Sequence, residues 1–290
     1  MTLPTNILTG IADEAAPDMD TQIKVHQELG WNEIELRQVD KKNVTFQLTD
    51  DEFAAVADKI EAAGLTVTGF AAAIGNWSRP INGDFQLDLD ELKTAIPRMQ
   101  RLGVKFMRTM SWTGEGVDKA EWEKECLRRY RELATIAEDG GVILAHENCA
   151  GWAGLSPENT IRLIEETASP AVTALFDIGN TISHRLDTLE FYEKIKPYIR
   201  YVHVKDAKKD RMDDHRSKFC LPGEGDAQLR PILADLLSNG YDGVISIEPH
   251  IASIIHLEDA EEDPEHMRQS YLEYGQAFVA LVNEVREGIK

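Results

Sequence analysis

The chain has 290 residues, 42% of them hydrophobic and 28% charged, with a formal net charge of −20. That composition excludes a disordered chain and predicts a packed core, while the acidic excess excludes general nucleic-acid binding, because phosphate backbones are repelled. No apolar run is long enough to cross a bilayer, Met1–Thr9 lacks the basic-then-apolar order of a secretory leader, and three scattered cysteines, Cys126, Cys149 and Cys220, make neither a disulfide scaffold nor a zinc ribbon, so a cytoplasmic location is expected.

Short apolar segments alternate with longer amphipathic ones from end to end. Strands are predicted at Ile7–Ala12, Glu33–Leu36, Val67–Ala73, Phe106–Met110, Val142–Glu147, Val172–Asp177, Tyr201–Lys205 and Val244–Glu248. All but the alanine-rich third are dense in Val, Ile, Phe or Leu, as strands buried on both faces are. Helical patterns fall at Met19–Leu29, Asp50–Ala63, Leu89–Leu102, Glu121–Glu138, Pro157–Thr167, Gln228–Ser238 and Met267–Val285. Glycine stops five of them, at Gly30, Gly64, Gly103, Gly140 and Gly240. Ser156 caps the fifth, with Pro157 at its first position.

Strand–helix units in series with right-handed crossovers predict one α/β domain over residues 1–290, a (β/α)8 TIM barrel. The alternative, a doubly wound open sheet, usually has a Gly-rich phosphate turn after its first strand, and Gly10-Ile11-Ala12-Asp13-Glu14 is no such turn. Ala207–Pro222 reads as a loop over the barrel mouth, and Ile251–Pro264 as a second irregular, acidic stretch.

Barrel active sites lie at the C-terminal ends of the strands. Strands five to eight end on Glu147, Asp177, His203 and Glu248. Buried carboxylates converging there would repel one another, and a divalent cation resolves the conflict. Each residue has an ordinary alternative. Asp177 can cap the next loop, His203 can be a hydrogen-bonded core histidine, and either glutamate can pair with Arg37 or Arg108. Four in register on consecutive strands outweigh those readings. Three oxygens and one nitrogen favour Mn²⁺, Mg²⁺ or Co²⁺ over structural zinc.

Lys205, two residues past His203, points to the same side and can bind a substrate oxygen or pair with Glu248 or Asp177. His250 is placed likewise after Glu248. Arg108 and Arg37 can bind a substrate anion or neutralise the carboxylates. Trp77, Trp112 and Trp152 follow strand ends and are candidate sugar-stacking walls, with packing as the alternative. His146 and Asn148 face away from Glu147 and suit an orienting role.

At these positions the sequence resembles the sugar phosphate isomerase/epimerase superfamily, the xylose isomerase-like barrels. The resemblance is carried by IELR (34–37), HENCAGWAG (146–154), FDIGN (176–180), YVHVKDA (201–207), LPGEGD (221–226) and GYDGVISIEPH (240–250). It implies that Glu147, Asp177, His203 and Glu248 hold one divalent metal, Mn²⁺ first, with Mg²⁺, Co²⁺ or Zn²⁺ as alternatives. It implies that Glu147 and Glu248 are also the acid/base pair of a sugar isomerase or epimerase working through a metal-stabilised enediolate. Two positions depart from the ketose 3-epimerases of the family. Asn180 stands where they carry a histidine, with His184 as a candidate substitute, and Ala153 stands where they carry a glutamate. The alternative is therefore a lyase, either a dehydratase or a 3-keto-glycoside eliminase, on a keto-sugar or keto-cyclitol. A non-catalytic sugar-binding barrel is a third reading. Endonuclease IV, a relative by fold, needs more histidine ligands and a surface that tolerates DNA. Substrate contacts are expected from Lys205, Arg108, Trp112, Asn180, His184 and His250. The expected partner is a small carbohydrate, with neither nucleic acid nor membrane, and with homo-oligomers, dimer or tetramer, common in such barrels.

Overall fold

The computed structural model describes residues 6–211, 218–252 and 263–289. Eight parallel strands form one sheet: β1 (Ile7–Gly10), β2 (Glu33–Leu36), β3 (Thr66–Ala71), β4 (Phe106–Ser111), β5 (Ile143–Gly151), β6 (Val172–Asp177), β7 (Ile199–Val204) and β8 (Val244–Ile247). Neighbours follow chain order from β2 to β8, and β8 returns to pair with β1. The parallel bridge Ile11–Glu35 joins β1 to β2 and makes the sheet a barrel.

Helices α1 (Met19–Glu28), α2 (Asp50–Ala63), α3 (Gln86–Leu102), α4 (Lys119–Gly140), α5 (Pro157–Thr167), α6 (Ile178–Ser183), α7 (Thr188–Ile195), α8 (Leu229–Ser238) and α9 (Pro264–Ile289) surround it. Their ends follow the expected chemistry. Thr49 and Glu52 form a reciprocal capping box on α2. The Ser156 hydroxyl accepts the Asn159 N–H ahead of α5. Glycines with positive φ close α2, α3 and α4, although the third is Gly141 rather than Gly140.

The connection from β6 to β7, where no helix was predicted, holds α6 and α7. They are short, six and eight residues, and separated by Arg185 with φ 58° and the N-cap Asp187. Neither is long enough to show a clear helical period. β5 runs to Gly151, past its predicted end, and β8 stops one residue before Glu248. The Glu248 N–H still donates to Val204 O at 2.9 Å, so its position is fixed by the β7 ladder. Within Ala207–Pro222, Asp206–Ala207 pairs antiparallel with Phe219–Cys220, and residues 212–217 lie outside the described residues. So does the 253–262 part of Ile251–Pro264.

The barrel is apolar inside its lower half, where Ala145, Leu175, Tyr201 and Val244 pack with Ile7 and Phe106. The Tyr201 hydroxyl ends this layer, donating to Glu35 at 2.9 Å and sharing a hydrogen bond with Thr68 at 2.9 Å. Charged residues begin directly above it.

Candidate metal centre and active site

Glu147, Asp177, His203 and Glu248 converge at the C-terminal mouth of the barrel. One ligand atom from each lies within 4.8 Å of all the others, and all four residues are buried. Each comes from a different strand end, so the barrel itself sets their spacing.

Their surroundings fix their orientation. His203 Nε2 lies 3.0 Å from Glu35 Oε1, which leaves Nδ1 facing Glu248 at 3.7 Å and Glu147 at 3.9 Å. Asn148 donates to Asp177 O at 2.8 Å and accepts the Asp177 N–H at 2.6 Å. Asn180 donates to Glu147 Oε1 at 3.0 Å. Arg37 donates to Glu248 at 2.8 Å while it also pairs with Asp13 at 3.0 Å and Glu14 at 3.3 Å. Such partners would hold these four side chains in place for a cation. His203 Nδ1 and Glu147 Oε2 are buried with only long ion-pair contacts, and Asp177 Oδ2 meets the Lys205 ammonium at 2.9 Å, so the cluster is arranged to face positive charge. The donor set of three carboxylates and one imidazole fits a divalent metal.

The charges are strongly perturbed. Burial would raise the Glu147 pKa, but Arg108 and His203 hold it down to about 2. Burial would likewise raise Glu248, and Lys205, His250 and His203 keep it well below the usual range. Burial would lower His203, yet Glu35, Glu147 and Glu248 lift it to about 10. For Asp177 burial wins over Lys205 and pushes the carboxyl up to about 8. Lys205 sits within this cluster, 2.9 Å from Asp177 and 2.7 Å from Glu248, with His250 Nε2 at 3.3 Å. Gly179 makes room for it, since a Cβ there would fall 2.1 Å from Lys205 Cγ.

A cavity of about 240 Å³ opens above the cluster, and Arg108, Glu147, Asn180, Lys205, Glu248 and His250 line its deep end. Arg108 Nε stands 3.5 Å from Glu147 and its Nη1 3.8 Å from Glu248. Trp112 is not a wall. Its backbone turns to φ 49°, its indole N–H donates to Asp88 at 2.8 Å, and its ring packs on Tyr130 with no exposed surface. The left-handed turn sends the side chain back among the helices. His184, at the C-cap of α6, is not among the residues that line the cavity, although it lies near enough to Lys205 and Glu147 to feel both charges. Trp152 is buried, with the Arg162 guanidinium 5.8 Å from its ring. Trp77 does line the cavity.

The sequence reading gave no role to Glu35, Asp13 or Glu14. The signal for Glu35 was present, an acid alternating with apolar neighbours in a buried strand. Asp13 and Glu14 follow directly after β1, in a turn whose acids form no phosphate-binding pattern.

The sequence profile of the xylose isomerase-like TIM barrel family matches residues 23–270. The chain belongs to this family. Among curated family relatives, an inosose dehydratase of Clostridium perfringens is 26% identical over 170 residues, 54% of this chain and 54% of that protein. The chain thus spans about half the length of the curated relatives it matches. Family likeness in solved structures is more extensive. A D-tagatose 3-epimerase-like protein superposes with TM-score 0.75 at 18% identity, over 97% of this chain and 99% of that one. The IolI protein with a bound zinc atom gives TM-score 0.75 at 18% identity, over 96% and 98%. At such identities the superpositions speak to the shared barrel.

Proposed function

We propose that the chain is a divalent-metal-dependent enzyme that moves a proton on the carbon next to a carbonyl of a small carbohydrate, a sugar isomerase or epimerase. The observation carrying this reading is the convergence of Glu147, Asp177, His203 and Glu248 within 4.8 Å at the floor of one cavity. Oxygen donors with one imidazole suit Mn²⁺, with Mg²⁺, Co²⁺ or Zn²⁺ as alternatives. A cation held there would polarise the substrate carbonyl and stabilise the negative charge left when the neighbouring carbon loses its proton.

The chain's own groups do the rest. Glu147 and Glu248, kept ionised by Arg108 and by Lys205 and His250, serve as the acid/base pair, one taking the proton and the other returning one. Arg108 and Lys205 offer cationic N–H donors to substrate oxygens at the deep end of the cavity. Glu35, Asn148 and Asn180 hold His203, Asp177 and Glu147 in register.

A second reading, a dehydratase or glycoside-eliminating lyase, is favoured by the inosose dehydratase relative and by Lys205 beside His250. That ammonium group is placed to give a proton to a departing oxygen. Incubating keto-sugars and keto-cyclitols with Mn²⁺-loaded protein in deuterated water separates the readings. Deuterium at one carbon with the skeleton intact is the expected result. Deuterium together with loss of water or aglycone would transfer the assignment to the lyase. Neither, with metal bound, would overturn both and leave a sugar-binding barrel.

A further inference from the structure

Two segments outside the strand ends help to line the cavity. Asn43, Phe46 and Gln47 come from the chain after β2, and Ala73 and Asn76 from the loop after β3. The loop after β3 leans on β4, where the Met110 N–H donates to Ile74 O at 2.9 Å and the Trp112 N–H to Gly75 O at 2.6 Å. Only glycine suits the turn, since Gly75 has φ +65° and a Cβ there would fall 2.4 Å from Met110 O. The N–H groups of Ala73 and Gly75 turn the other way, toward α3.

Their acceptors are Asp88 and Glu91, two buried carboxylates three residues apart and so on one side of α3. Asp88 Oδ1 accepts the Gly75 N–H at 3.0 Å and Arg79 Nη1 at 2.6 Å, and its Oδ2 accepts the Trp112 indole N–H at 2.8 Å. Glu91 Oε1 accepts the Ala73 N–H at 2.8 Å and the Thr45 hydroxyl at 2.5 Å, and its Oε2 pairs with Arg79 Nη2 at 2.5 Å. The Arg79 guanidinium lies 5.5 Å over the Phe46 ring. One helix turn thus grips the chain after β2, β3 and β4 at once, although neither carboxylate lines the cavity.

A buried carboxylate is costly unless its oxygens are met by donors. Here two acids share one guanidinium, and backbone N–H groups, a hydroxyl and an indole supply the rest. The network is satisfied in full only when all three segments are in place, and a satisfied buried network specifies one geometry.

We propose that Asp88, Glu91 and Arg79 are positioning residues that assemble this side of the cavity as one piece and so set substrate affinity, with no part in the chemistry at the strand ends. They act through Thr45, Gly75 and Phe46. The effect on affinity rests on the proposed sugar chemistry, but the coupling of the segments is measurable without any sugar.

The test follows amide hydrogen exchange and Mn²⁺ affinity in the full chain and in three variants. Glu91→Gln sets an amide donor against Arg79, Arg79→Met removes the shared cation, and Arg79→Lys keeps the charge but reaches one carboxylate at a time. Arg79 lies on the loop itself, so its variants carry the test even where Glu91→Gln does not fold. In Glu91→Gln and Arg79→Met the Thr45, Ala73 and Gly75 amides should all exchange about tenfold faster, the loss of one charge-assisted hydrogen bond, while exchange in β5 to β8 and Mn²⁺ affinity stay within about twofold. Arg79→Lys should restore part of the protection. With any keto-sugar turned over in the deuterium experiment, KM should rise about tenfold and kcat should stay within about twofold. Faster exchange at Ala73 and Gly75 with Thr45 unmoved would make the segments independent and overturn the proposal. So would faster exchange throughout the barrel, or a fall in kcat at unchanged KM. Coupled exchange at the three amides with no keto-sugar turned over would instead sink the proposed catalysis alone.

Discussion

His146 and His203 are both fully buried on the same sheet, yet they meet opposite fates. His146 faces outward, edge-on to Tyr130 at 5.8 Å, and neither ring nitrogen has a hydrogen-bond partner. Burial lowers its pKa to about 4 and keeps it neutral. His203 faces the barrel lumen among Glu35, Glu147 and Glu248, and its pKa is lifted to about 10. Glu147, the residue after His146, points inward and is held charged by Arg108 and His203. Burial alone discharges a group, and burial among opposite charges keeps it charged. The outer face of the sheet is built for packing, and the inner face at the mouth stores charge.

The sharpest way to break this contrast is to neutralise the stored charge. Glu147→Gln and Glu248→Gln should each lower kcat by about 10²–10⁴ with circular dichroism unchanged. Near-normal kcat in either would remove that residue from the acid/base pair. The metal comes next. Chelation should abolish turnover, and reloading with Mn²⁺ should restore it with about one ion per chain and proton release, because His203 must shed its Nδ1 proton to become a ligand. Calorimetric binding enthalpies that do not change with buffer ionisation heat, or metal retained by an Asp177→Ala/His203→Ala double variant, would contradict this.

The outward face predicts a pH effect. The His146 pKa is lowered in the fold, so its contribution is present above the unfolded value near 6.5 and is lost as pH falls from there toward about 4. At pH 5 the loss is about 2 kcal/mol, and His146→Gln should flatten the decline of melting temperature between pH 7 and pH 5. An unchanged slope would mean that the ring takes up its proton at the same pH in the folded and unfolded chains. The smallest effect belongs to the boundary between the two environments. Tyr201→Phe removes a hydroxyl bonded to Glu35 and Thr68, and should cost about 1 kcal/mol, read as a melting shift of about 2–4 °C.

Much of this was legible in the sequence because strands leave local marks. Apolar runs ending in Glu147, Asp177 and His203 announce both the strands and what lies at their tips. The missed parts are those where the mark is short or the partner distant. α6 and α7 are too brief for a clear period. Glu35 reaches His203 across the whole barrel, and nothing near either residue in the chain signals the contact. Trp112 looked like a wall because it follows a strand, but a single left-handed residue turned it into the core. Phe46 and Gln47 lie in a polar loop with no strand to point them out, and only the folded barrel brings them over the site.

The meeting of β1 and β2 at the Ile11–Glu35 bridge closes the ring where the chain's first and second units touch. Glu35 on one side of that joint reaches across to β7, and Arg37 just beyond it holds Glu248. The closure is thus braced by the same side chains that steady the proposed metal centre. Occupancy of the centre would be felt at the joint as slower backbone hydrogen exchange in Leu8 to Ile11 and Glu33 to Leu36. In that sense the cargo of the site doubles as a clasp on the barrel.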